Sequence, residues 1–155
     1  MPLKKFAVAL AGLVLLSAAA VAVAQEVVVD PAIATMTIDQ KVAARQAAMK
    51  EDGGVLKGAG ALTGPDAVAA AEKLIQNFTN FPALFSEDTK DVVGAEAAPA
   101  IWTSWDAFNA IFTKALDASK AMKVAAISED AAGYGAALKA IGGTCGECHQ
   151  QFRSK

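Results

Sequence analysis

The chain has 155 residues, enough for one ordinary domain with a single core and too few for a second once a targeting segment is set aside. It is 54% hydrophobic but only 6% aromatic, with alanine supplying much of the apolar count, which suits closely packed helices better than a β-sandwich or barrel. A formal net charge of −2, with no basic run beyond the N-terminus, argues against nucleic acid as a partner.

Met1 to Lys5 form a short basic head, and Phe6 to Ala24 then run almost without polarity to Ala22-Val23-Ala24, a small-x-small sequence of the kind signal peptidase reads. Residues 1–24 are therefore expected to be a signal peptide cleaved before Gln25. An uncleaved anchor is the weaker reading, because the run is alanine-rich and only modestly hydrophobic. The mature domain, 25–155, is then periplasmic and carries 12 basic against 16 acidic residues, with no membrane attachment after cleavage.

Gln25 to Thr35 reads as a leader outside the core. Thr37-Ile38-Asp39-Gln40 fits a capping box, in which the Thr hydroxyl and the Gln amide satisfy free backbone N–H groups, and it opens a first helix over about Thr37 to Ala59. Its broad apolar face holds Ile38, Val42, Arg45, Met49 and Leu56. Gly53-Gly54 inside it costs about 1 kcal/mol per glycine relative to alanine, so the helix either kinks there or uses them for close packing. Thr63-Gly64-Pro65-Asp66 is a turn leading into a second helix from about Asp66 to Asn80, with Val68, Ala71, Leu74, Ile75 and Phe78 as its buried stripe and Phe81-Pro82 as its end. Ala83 to Ala98 is the longest irregular connection. A third helix follows from about Pro99 to Lys123, with Ile101, Trp105, Phe108, Ile111, Phe112, Leu116 and Met122 on one side; Trp102 and Trp105 are expected to pack the core or a dimer surface. Ser128 is expected to cap the fourth helix, with Glu129 and Asp130 in its first turn. Along it, Leu138, Ile141, Cys145, Cys148, His149 and Phe152 recur at steps of three and four and share an inward face. The fold expected is all-α, an antiparallel four-helix bundle.

Cys145-Gly146-Glu147-Cys148-His149 has the spacing of covalent haem c attachment: two thiols add to porphyrin vinyl groups as thioethers, and the histidine binds iron. On a helix these positions lie at i, i+3 and i+4, so both sulfurs and the imidazole can face one ring. A thioredoxin-like pair would want the N-terminus of a helix after a strand, which is not the pattern here. Structural zinc needs four ligands, and the chain has two Cys and one His, so a carboxylate would have to complete it. A disulfide would close only a trivial loop. His149 is the single histidine, so a bis-His haem within one chain is excluded.

With that motif at the C-terminal end of the last helix, the mature chain resembles the class II cytochromes c, cytochrome c prime and its low-spin c-556 relatives. The resemblance rests on Arg45-Gln46-Ala47-Ala48-Met49-Lys50, on Leu74 to Phe85 with its Phe-Pro-x-Leu-Phe ending, on Ile101-Trp102, and on Cys145 to Arg153. It implies one covalent haem on Cys145 and Cys148, His149 as an axial iron ligand, Arg45 near a haem propionate, Arg153 near the histidine side of the haem, and Met49 on the opposite side. A methionine there binds iron in low-spin members and blocks the site without binding in cytochrome c prime. The leading expectation is an electron carrier with His149/Met49 ligation; the alternative is a five-coordinate protein that binds or buffers small gases such as nitric oxide. No enzyme chemistry is expected. The resemblance also implies frequent homodimers, to which no residue commits this chain, and the redox partner is not legible.

Overall fold

A computed structural model describes residues 27–154, so the expected signal peptide, 1–24, lies outside the described residues. The chain forms α1 (Ile38–Ala59), α2 (Gly64–Leu84), a short α3 (Ala100–Thr103), α4 (Trp105–Ile127) and α5 (Ala131–Phe152). The four long helices make the expected antiparallel bundle. α4 is its centre and packs along both α2 and α5; α1 rests on α2 and only grazes α5. A gap is left between α1 and α5, and the residues expected to hold a cofactor face it.

The capping box at the head of α1 is present: the Thr37 backbone N–H donates to Gln40 Oε1 at 2.8 Å and the Gln40 N–H to Thr37 Oγ1 at 3.3 Å. Gly53 and Gly54 do not interrupt the helix, and a Cβ on either would meet nothing within 4 Å. These two residues leave open space, where the sequence suggested tight packing or a kink.

The structure corrects several boundaries. The segment read as a leader includes a 3-10 turn, Pro31–Thr35, capped by Asp30, and it buries Ile33 against the core. α2 passes through Pro82 and ends at Leu84. Proline inside a helix costs about 3 kcal/mol, but burying a large apolar side chain returns about 1.5–3 kcal/mol. Phe81 and Leu84, both buried, flank Pro82, so the extra turn is favourable. The third expected helix is two: α3 stops at Ser104, and the Trp102 indole N–H donates to the Phe85 carbonyl at 3.0 Å, tying α3 to the end of α2. Ser128 caps nothing at the head of α5. It closes α4, donating to the Val124 carbonyl at 3.0 Å, while Glu129 takes a left-handed φ of 56° and Asp130 accepts from the Gly133 N–H at 2.9 Å as the true N-cap.

The core is a chain of rings. Phe81 stacks on Phe112 with centroids 5.2 Å apart, Phe112 meets Phe108 edge-on at 4.9 Å, and Phe108 takes Phe85 and Phe152 edge-on at 4.8 and 5.1 Å. Each ring comes from α2, α4, α5 or the turn after α2, so this chain locks those helices together and forms the floor of the gap. Trp102 and Trp105 pack against the same core, half-buried.

Candidate haem site

Two adjoining cavities of about 320 and 280 Å³ open between α1 and α5. Met49, Cys148 and His149 line both. Cys145 lines the larger, with Phe78, Phe81 and Phe112 on its apolar side; Arg45 and Arg153 line the smaller. Each of the six residues that the sequence offered for the haem thus borders one or both of these cavities.

Cys145, Cys148 and His149 sit in the last turns of α5, at the end opposite to the one that would acidify a thiol. Burial pushes both thiols up, Cys148 to about 11, helped there by the neighbouring Cys145 and Glu147. Neutral, half-buried thiols at a helix C-terminus are the reverse of a thioredoxin-like pair. The motif is less inward than helical spacing suggested: both cysteines are half-buried and His149 is exposed. What they face is the gap, and the packed core of α5 lies in Tyr134, Ala137, Ile141, Thr144 and Phe152.

Arg45 is the most deeply placed of the set at 1% exposure. Its Nη1 donates to Thr89 Oγ1 at 3.0 Å and to the Leu84 carbonyl at 3.3 Å, and its Cζ lies 4.3 Å from the Phe85 ring centroid. Nη2 is buried without a partner among the described residues. Burying a guanidinium lowers its pKa, through lost hydration. A buried donor with no acceptor costs about 1–3 kcal/mol, and a carboxylate entering the cavity would remove that cost.

Arg153 lies past the end of α5. Its Nε donates at 2.8 Å to Glu96 Oε2, and the Ala98 and Ser154 N–H groups donate at 2.9 and 3.0 Å to the Phe152 and Glu96 carbonyls, clipping the chain end to the 95–98 segment. Arg153 therefore stands beside His149 with its guanidinium engaged by Glu96.

Two residues of this site were not picked out from the sequence, and a third, Phe85, figures there only as the end of the Phe-Pro-x-Leu-Phe segment, with no role. Thr89 and Phe85 hold Arg45 and lie in the irregular connection, where no periodicity marks them. Asp52 is a buried acid on the cavity wall, 4% exposed. It follows Arg45 and Met49 at steps of four and three, so helical spacing does place it on their face; its charge is what hid it.

Taken as a container, the site fits a flat macrocycle bearing acidic side groups. The cavity wall is apolar, Gly53 and Gly142 present no Cβ to it and one at either position would meet nothing within 4 Å, and Arg45 offers a buried spare donor. A four-helix bundle with such a cavity against Cys-x-x-Cys-His on its last helix is the design of a helical c-type haem protein.

The cytochrome C' family model matches residues 40–153. The chain is 36% identical over 115 residues to a cytochrome c' from Pararhodospirillum photometricum, covering 70% of this chain and 92% of that protein. It is 38% identical over 120 residues to a cytochrome c-556 from Agrobacterium tumefaciens (strain apple 185), covering 72% and 93%. Among solved structures, a nitric oxide complex of a mutant cytochrome c prime from Alcaligenes xylosoxidans superposes with a TM-score of 0.65 at 23% identity, covering 77% of this chain and 98% of that one. The chain belongs to the class II cytochrome c family, that of cytochrome c prime and cytochrome c-556, and carries one covalently attached haem c with its iron.

Proposed function

We propose that this cytochrome carries its haem through thioethers to Cys145 and Cys148, binds the iron through His149 alone, and admits a small gas such as nitric oxide on the side shielded by Met49. The observation that carries the reading is that Met49 and His149 border the same two cavities from opposite helices, α1 and α5, which otherwise barely touch. A side chain on so loosely apposed a helix is suited to cover a site and step aside. The family description and the Pararhodospirillum relative support this over the methionine-ligated reading favoured by the sequence.

The haem, when bound, supplies a one-electron ferric–ferrous couple and a coordination position for a diatomic ligand. The rest is done by side chains. Cys145 and Cys148 would hold the haem through thioether bonds, and burial raises both thiols above the ordinary cysteine value. Arg45 would hold an acidic side group of the haem through Nη2, its unused donor. Phe78, Phe81 and Phe112 exclude water from the apolar side of the cavity. Neither reading requires a catalytic side chain.

The second reading, a low-spin electron carrier with His149/Met49 ligation, is favoured by the similarity to cytochrome c-556. Electron paramagnetic resonance and the optical spectrum of the purified protein separate the two. The gas-binding reading expects a high-spin ferric signal, no far-red methionine-to-iron band, and ready binding of nitric oxide and carbon monoxide by the ferrous form. A low-spin signal with that band overturns it in favour of the electron carrier.

The same proposal includes export: residues 1–24 direct the chain to the periplasm and are removed before Gln25. Among the described residues no helix is long and apolar enough to cross a membrane. N-terminal sequencing of protein recovered from the periplasm is expected to begin at Gln25; an intact Met1 overturns the cleavage.

A further inference from the structure

Asp52 is not one of the residues assigned to the haem or its ligand, yet it is buried on the wall of the same cavity. It is 4% exposed and borders the space shared by Cys145, Cys148 and His149. From α2, Asn77 Nδ2 donates to Asp52 Oδ1 at 2.7 Å and to Glu51 Oε2 at 3.0 Å. Among the described residues no cation pairs with Asp52: Lys73, whose charge acts on it, is bound to Glu51 at 3.1 Å on the surface. From α5 the titratable groups on this cavity are Cys145, Cys148 and His149, and α4 contributes only Ile111, Phe112 and Ala115. The acid therefore has one neutral donor, one acidic neighbour, and an apolar wall in front of it. Such a carboxyl is poised between its two forms, and burial brings it to about 6. An added negative charge in the cavity will tip it toward the protonated form.

We propose that Asp52 is a proton-binding site coupled to the haem iron, taking one proton from solvent when a one-electron donor reduces ferric iron to ferrous and returning it on reoxidation. The electron goes to the iron and the proton to the carboxylate, so the charge inside the pocket is the same before and after. Compensating charge within the cavity removes most of the electrostatic penalty of reducing iron in a low-dielectric site. The coupling rests on the haem reading and holds whether or not Met49 binds iron.

The test is spectroelectrochemical titration of the haem-loaded protein from pH 4.5 to 8.5, in the natural form and as Asp52→Asn. The natural protein is expected to lose reducibility as the pH rises through the Asp52 range, by three- to ten-fold in the redox equilibrium, ten-fold being 59 mV for one electron. Asp52→Asn is expected to be flat over that interval, the cofactor's own acids contributing equally to both proteins. Reduced-minus-oxidised infrared spectra are expected to show a deuterium-sensitive protonated-carboxyl band that Asp52→Asn lacks. Asn77→Ala, which deletes a hydrogen bond to the carboxylate form, is expected to move the midpoint to higher pH, and it serves if Asp52→Asn does not fold. Identical profiles in the natural protein and either variant overturn the coupling while leaving the haem reading intact. Absence of covalent haem after denaturation of the natural protein overturns both.

Discussion

The Arg45 guanidinium lies over the Phe85 ring, its Cζ 4.3 Å from the centroid, inside a core where it is 1% exposed. A buried cation of this kind survives only if its surroundings replace hydration, and here a hydroxyl and a carbonyl do so at Nη1 and a ring face over Cζ, while Nη2 finds no acceptor among the described residues. Lysine has neither the planar fork nor the ring-stacking geometry. Arg45→Lys is expected to destabilise the protein by about 2–3 kcal/mol. Guanidinium unfolding of the haem-loaded protein measures this, and a loss below about 0.5 kcal/mol would mean that Arg45 is held by less than these contacts.

Met49→Ala separates the two axial readings in a single variant. Where the methionine only shields, the ferric spectrum stays high-spin and carbon monoxide binds the ferrous form faster. Where it binds iron, a low-spin spectrum becomes high-spin. The side chain is half-buried, so the packing cost is expected near about 1–2 kcal/mol, below that of a fully buried methionine. Stopped-flow absorbance with carbon monoxide reads the rate.

Asp52 makes stability depend on pH in an unusual direction. Its folded pKa of about 6 stands above the ordinary 3.8, so the folded protein binds this proton more tightly than the unfolded chain does. The resulting stability is complete below the ordinary value and is lost as the pH rises through the raised one. Asp52→Asn, which keeps an oxygen to accept from Asn77, is therefore expected to be more stable than the natural protein at pH 7.5 by up to about 2–3 kcal/mol, with no gain at pH 3.5. Equal unfolding midpoints of the two proteins at pH 7.5 would show that the carboxylate is better compensated than its neighbours suggest.

The cap of α1 matters because this helix carries Arg45, Met49 and Asp52 yet is anchored chiefly to α2. Thr37→Ala removes the side-chain half of the box and is expected to cost about 1 kcal/mol. Thermal unfolding checks the loss; hydrogen exchange at the first turn of α1 is expected to rise with it.

What could be read directly were features confined to one or two turns of helix. The Thr37/Gln40 box, the stripe of Leu74, Ile75 and Phe78, and the i, i+3, i+4 spacing of Cys145, Cys148 and His149 depend on neighbours a few residues away, and the class of protein followed from them. Boundaries slipped where distant packing overruled a local signal. Pro82 reads as a stop, but Phe81 and Leu84 gain more by burial than the missing hydrogen bond costs. Ser128 reads as a cap, but Asp130 has the backbone geometry to accept from Gly133.

By itself, then, the sequence determined an all-helical chain and a haem c attachment signal on its last helix, because helical periodicity and covalent spacing are short-range properties. Only the tertiary structure decided that α1 stands off from α5, that Arg45 is buried with a donor to spare, and that Asp52 is buried with no counter-ion among the described residues. Burial of a charge is set by what the other helices bring to it, and no local pattern encodes that.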